Sequence, residues 1–106
     1  MGLSVSVRHD AAGGAWVSVA GDVDLATVGQ LDRDIRAAVE AEQTSSIVVD
    51  LAEVGFLDSS GIASLLRGRR LADTAEKSYR VTGATGMVWQ VLDLTGVWAL
   101  LCNPSI

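Results

Sequence analysis

Residues 47–62 read IVVDLAEVGFLDSSGI, and this stretch sets the frame for the whole chain. Ile47–Leu51 is a short β-branched run with little alternation, the pattern of a central strand buried on both faces. Helical spacing begins at Ile62, with Leu65, Leu66 and Ala72 on the inner stripe and Ser64, Arg67 and Thr74 facing outward. Between them, Asp58-Ser59-Ser60-Gly61 puts a carboxylate, two hydroxyls and a glycine where a strand hands over to a helix.

Upstream, Leu3–Arg8 alternates apolar and polar residues as a half-buried strand does. A turn at Ala11-Ala12-Gly13-Gly14 leads to Trp16, Val17 and Val19, so residues 3–20 read as a hairpin. After Gly21, Val28, Leu31, Ile35, Ala38 and Val39 fall on one helical stripe. Gln30, Asp32, Arg33, Arg36 and Glu40 fill the opposite face, and Asp24 is placed to be the N-cap with Thr27 three positions on. Downstream, Tyr79–Thr82 is a strand ended by Gly83. Thr85–Leu94 is a third helix with Met87, Val88, Val91 and Leu92 inward, and Gly96 suits a left-handed C-cap. Val97–Leu101 reads as a last strand, with Trp89 and Trp98 as packing residues. The order ββαβαβαβ predicts one α/β domain over residues 1–106. Its mixed, mostly parallel sheet has about five strands, with three or more helices and right-handed crossovers. Three helices over such a sheet cover one face well and leave the other thinly covered.

Composition narrows the function classes. The chain has 106 residues, half of them apolar and a fifth charged, as in a globular domain. No apolar run approaches the ~18–20 residues that span a bilayer, and no basic-then-apolar leader opens the chain, so a cytoplasmic location is expected. MGLSVS fits a loose myristoylation pattern, but alternating Leu3, Val5 and Val7 explain it as a strand. A net charge of −5 without a basic stripe makes a poor nucleic-acid binder. The one basic cluster, Arg67, Arg69 and Arg70, reads as a solvated helix face. Cys102 and His9 are the only cysteine and histidine, too few for a zinc site or a CxxC pair, so no metal and no cofactor are expected. Asn103-Pro104-Ser105 has proline in the middle and is not a glycosylation acceptor.

Asp58-Ser59-Ser60-Gly61 admits three readings. As a cap, Asp58 accepts backbone N–H groups of the first turn while Gly61 lets the chain turn tightly. As a hydrolase nucleophile it lacks the first glycine of the G-x-S-x-G elbow, and its base would have to be His9 or Lys77, the only lysine. As a modification site it is favourable, because a phosphoserine brings about −1.5 to −2 charge to a partially positive helix start. On an acidic surface that charge acts as a binding switch.

Three separated pieces resemble the STAS domain family, in particular its small stand-alone anti-sigma factor antagonists. Gly21-Asp22-Val23-Asp24 with Thr27 is similar to the family's G-E-[LV]-D-x-x-T. Ile47–Leu51 through Phe56-Leu57-Asp58-Ser59-Ser60-Gly61-Ile62 resembles its strand, connecting loop and D-S-[ST]-G, and Asp93-Leu94-Thr95-Gly96-Val97 its late [DL]-x-[TS]-G-[LV]. The departures are Asp22 for the commoner glutamate, and the bland Leu25-Ala26 where other members often carry polar residues.

The resemblance implies a bacterial transcription regulator that works by partner switching and is not an enzyme. It makes Ser59 the phosphorylation site and places Asp24, Thr27, Asp58, Ser59, Ser60 and Gly61 on the partner-binding surface. The unphosphorylated form is implied to bind an anti-sigma factor that is itself a serine kinase of the histidine-kinase-like ATPase fold, releasing the sigma factor. Phosphorylation dissociates the complex, and a PP2C-type phosphatase reverses it. Neither nucleic acid nor membrane is an expected partner, and a monomer or weak dimer suffices. The competing readings are a STAS subunit regulating a membrane transporter or lipid-transport complex, and the scaffold of a stress-signalling assembly.

Overall fold

The computed structural model describes residues 2–102, without the side chain of Cys102. Met1 and the Asn103-Pro104-Ser105 tripeptide lie outside the described residues. The elements are β1 (Leu3–His9), β2 (Gly14–Val23), α1 (Val28–Glu40), β3 (Ser46–Leu57), α2 (Ser59–Thr74), β4 (Ser78–Thr82), α3 (Gly86–Leu94) and α4 (Val97–Cys102). They form one sheet in the order β1-β2-β3-β4. β1 and β2 pair antiparallel, while β3 lies parallel to both β2 and β4, so the sheet is mixed and mostly parallel as its pattern predicts.

The sheet has four strands among the described residues, not about five, because Val97–Cys102 is a helix. In this segment Leu101 is buried, Val97 and Trp98 are half-buried, and Ala99 and Leu100 face solvent. An inward set at i, i+1 and i+4 is helical spacing, and leucine and alanine are strong helix formers. The helix contacts β4 and α2, covering core beside the edge strand without adding to the sheet.

The hairpin forms as expected. The Asp10 carboxylate accepts from Ala12 N at 2.9 Å and Gly14 N at 2.8 Å, closing the turn. Leu3, Val5 and Val7 then share a face with the buried Val17 and Val19. β2 and β3 are longer than the apolar runs alone indicate. Pairing continues past Asp50 to Val23↔Leu57 through two register shifts, so the expected connecting loop is strand. Gly21 sits at one shift with φ of +108°, where a Cβ would lie 2.3 Å from the Gly2 carbonyl oxygen, so only glycine fits.

Ile47, Val49 and Leu51 are buried, but Val48 and Asp50 are only half-buried, so β3 is covered on one face rather than two. The covered face packs Ala15, Val17, Val19, Ile47, Val49, Tyr79 and Val81 against Leu31 and Ile35 of α1, Leu65 of α2 and Leu101 of α4. Tyr79 donates its hydroxyl to Leu65 O at 2.9 Å, and its burial pushes its pKa up against a smaller opposing pull from the Arg69 charge. α2 approaches closely because position 68 is glycine. A Cβ there would lie 2.7 Å from the Tyr79 hydroxyl and 2.8 Å from Ile35 Cγ2.

Two helix faces differ from their sequence reading. Ser64, expected outward, is buried with its hydroxyl on Asp32 Oδ1 at 2.6 Å. Met87, expected inward, is exposed along with Trp89, so α3 buries only Val88 and Leu92 fully. Gly96 follows the end of α3 with φ of +75°, as a residue ending a helix in the left-handed region.

Candidate functional site

Asp58 stands between β3 and α2 with extended backbone and is the N-cap of α2. Its Oδ1 accepts from Ser60 N at 2.9 Å, from Gly61 N at 3.2 Å and from the Ser60 hydroxyl at 2.5 Å. These bonds to the ionised form, the Ser60 hydroxyl first among them, hold the Asp58 carboxyl below its usual value of 3.8. The two serines therefore differ. Ser60 is half-buried and engaged with Asp58, whereas Ser59 is exposed and its hydroxyl makes no hydrogen bond among the described residues.

The helix start is fixed to the end of β2. Asp58 N donates to Val23 O at 3.2 Å, and Leu57 pairs with Val23. Gly61 permits this approach, since a Cβ there would lie 2.3 Å from Leu57 Cδ1 and 2.8 Å from Val23 Cγ1. The same strand end leads into a second capped turn. Asp24 Oδ1 accepts from Ala26 N at 3.0 Å and Thr27 N at 3.1 Å. The Thr27 hydroxyl accepts from Asp24 N at 3.0 Å and donates to Asp22 O at 2.9 Å.

Asp24 is not the N-cap of α1, as its position had indicated. The N-cap is Thr27, whose side chain makes no cap bond, and the Asp24 carboxylate instead closes the turn ahead of the helix. Val28 N reaches Asp24 O at 2.8 Å, so that turn runs straight into the helical ladder.

Asp24, Thr27, Asp58, Ser59, Ser60 and Gly61 thus gather at one end of the sheet, on two turns joined through Val23. Two exposed apolar side chains, Leu25 and Phe56, belong to the same end. The sequence reading noted Leu25 only as bland. It is exposed in a turn held by the paired Asp24 and Thr27 side chains.

His9 and Lys77 are not bases for these serines. His9 ends β1 opposite Ala15, at the far end of the sheet. Lys77 Nζ donates to the Val39 and Ala41 carbonyls, at 2.5 and 2.9 Å, and closes the C-terminus of α1. Within the basic cluster, Arg67 forms both its bonds to Asp32, and Arg69 reaches Asp73 and the Leu100 carbonyl. No group of three or more metal-ligating side chains occurs among the described residues, and no helix among them is long and apolar enough to cross a membrane.

The described residues thus form a one-sided mixed sheet with an unengaged hydroxyl on a capped helix start. The chain belongs to the STAS domain family. The family model described as "Mlab, STAS domain" matches residues 7–101. The chain is 26% identical over 85 residues to the anti-sigma-B factor antagonist of Staphylococcus epidermidis, covering 80% of this chain and 78% of that one. It is similar to the crystal structure of an anti-sigma factor antagonist from Mycobacterium paratuberculosis, with a TM-score of 0.81 and 27% identity over 93% of this chain and 82% of the other. The fold also matches the phosphorylated form of the Bacillus cell fate determinant SpoIIAA, with a TM-score of 0.69 at 16% identity, over 96% of this chain and 92% of that one. The relatives' names are those of regulators, in agreement with the expectation of a binding protein rather than an enzyme.

Proposed function

We propose that this chain is an anti-sigma factor antagonist of the cytoplasm, switched by phosphorylation of Ser59. Its unphosphorylated form binds an anti-sigma factor serine kinase of the histidine-kinase-like ATPase fold, and the sigma factor is released. The observation that carries this reading is the contrast between the two serines: Ser60 is held by Asp58 and Ser59 is free and exposed. Kinship with anti-sigma factor antagonists supports the class of partner.

The chemistry follows from what surrounds Ser59. Its Oγ attacks the γ-phosphorus of ATP, the bond to ADP breaks, and the hydroxyl proton passes to a base on the kinase. Neither His9 nor Lys77 stands near enough to serve as that base. The first-turn amides of Ser60 and Gly61 are already taken by Asp58. A phosphate on Ser59 therefore cannot settle onto them and stands outward beside a carboxylate, adding about −1.5 to −2 to the charge the partner meets. Such a group breaks a close interface by repulsion and desolvation while leaving the fold intact. A PP2C-type phosphatase then restores the hydroxyl.

The test is to incubate the purified chain with ATP and the anti-sigma kinase of the same genome, and to map phosphate by intact mass and peptide sequencing. One phosphate on Ser59, absent in Ser59→Ala and retained in Ser60→Ala, is the expected result. Ser59→Asp should weaken the kinase complex with nearly unchanged Tm. Phosphate that survives Ser59→Ala and disappears in Ser60→Ala overturns the site, and a kinase that neither binds nor modifies the chain overturns the switch.

A further inference from the structure

The face of the sheet away from the core carries a row that the site at the end of β3 does not use. Strand register aligns Arg8 with Trp16, Trp16 with Val48, and Val48 with Arg80. Arg8, Trp16 and Arg80 are exposed and Val48 is half-buried. Neither the Arg8 nor the Arg80 side chain forms a hydrogen bond or ion pair among the described residues, unlike those of Arg67 and Arg69. Two carboxylates stand on the same face without pairing to either arginine: Asp10 Oδ1 accepts from Ala12 N and Gly14 N, and Asp50 Oδ1 from Ala52 N at 3.0 Å. Beside this row lies a groove of about 490 Å³ lined by Arg8, His9, Asp10, Trp16, Ser46 and Val48.

We infer that this row is a docking surface for an extended acidic peptide segment of a partner protein, with a central apolar residue between two carboxylates. Charge complementarity selects the sign, because the two guanidinium groups of Arg8 and Arg80 face outward without an ion-pair partner among the described residues. Geometry sets the spacing. Three inter-strand steps of ~4.8 Å separate Arg8 from Arg80 by roughly 14 Å, the reach of about four residues at ~3.4 Å each. A segment crossing the strands with acidic residues at i and i+4 therefore meets both arginines and lays residue i+2 on Trp16 and Val48.

Other occupants fit less well. Two cations make a small phosphate footprint, since each neutralised phosphate adds only about one power of salt dependence. A second copy of this chain would set the same two arginines against this row, a like-charge contact that disfavours it. The row lies near the start of β2 and β3, the length of β3 away from Ser59, so a segment docked here leaves the Ser59 end free for its own partner.

The test is NMR titration of the 15N-labelled chain with acetyl-Glu-Gly-Leu-Gly-Glu-amide. Millimolar peptide should move the amide and side-chain signals of Arg8, Trp16, Val48 and Arg80, including the Trp16 indole. Ser59 and its neighbours should stay in place. The double variant Arg8→Ser, Arg80→Ser removes no hydrogen bond or ion pair made by either side chain among the described residues, so it should keep its Tm within a few degrees and weaken binding by about tenfold or more. Unmoved signals, equal shifts with acetyl-Lys-Gly-Leu-Gly-Lys-amide, or shifts that persist in the double variant overturn the proposal. So does reproduction of the shifts by inorganic phosphate or by oligothymidylate, which would assign the row to an anion or a nucleic acid instead.

Discussion

Asp58 Oδ1 accepts three hydrogen bonds from the two residues after Ser59 and none from Ser59 itself. This one oxygen orders the first turn of α2 and leaves the neighbouring hydroxyl unengaged. Because the folded pKa of Asp58 is depressed, its charge contributes stability above the unfolded value. That contribution is lost as pH falls through the lower folded value. Asp58→Asn keeps an acceptor oxygen but not the charge. The stability gap between the natural chain and this variant, read by urea denaturation, should be widest near neutral pH and narrow below about pH 4. A gap that stays constant down to pH 3 would show that the charge is not what the first turn responds to. Cap and hydroxyl were both legible in Asp58-Ser59-Ser60-Gly61. The family resemblance already singles out Ser59 as the acceptor, and side-chain geometry adds the physical contrast, with Ser60 bound to Asp58 and Ser59 unengaged.

At the scale of elements, α1 and α2 are joined by a polar clamp that neither helix pattern reveals. The Ser64 hydroxyl donates to Asp32 Oδ1 at 2.6 Å, and Arg67 donates to both Asp32 oxygens at 2.9 and 2.8 Å. Arg67 is 43% exposed and Ser64 only 1%. Asp32→Ala leaves a buried hydroxyl without its acceptor and should cost about 1–3 kcal/mol. Arg67→Ala removes a solvent-facing ion pair worth at most ~1 kcal/mol. Equal losses for the two variants in chemical denaturation would refute this ranking. Gly68→Ala should cost about 1–3 kcal/mol through overpacking against Tyr79 and Ile35, despite alanine's better helix propensity. A Tm equal to or above that of the natural chain would show that α2 can move away from β4 at no cost. The α4 segment belongs to this scale too. Five residues of Val-Trp-Ala-Leu-Leu are too few for period to separate strand from helix.

Across the whole molecule, the two outward surfaces lie at opposite ends of the central strands, with one continuous core between them. The two ends are separated by the length of β3, so charge at Ser59 should act where it stands. Ser59→Asp should shift amide signals of residues 22–27 and 56–63 and leave those around Gly14 and Ser46 unchanged. Shifts reaching the far end of the sheet would mean that the ends are coupled.

The sequence alone determined the order of elements as far as α3, the hairpin, the mixed sheet and the placing of the Asp58 turn. Each of these is written in local chemistry: apolar period, turn residues and a capping carboxylate at a strand end. Only the tertiary structure decided that Ser64 is inside and Met87 outside, that Asp32, Ser64 and Arg67 meet, and that Arg8, Trp16, Val48 and Arg80 form one row. The reason is that these facts concern neighbours far apart in the chain. Asp32 and Arg67 each read as surface residues on their own helix, and strand register, not spacing, brings Arg8 and Arg80 onto a single face.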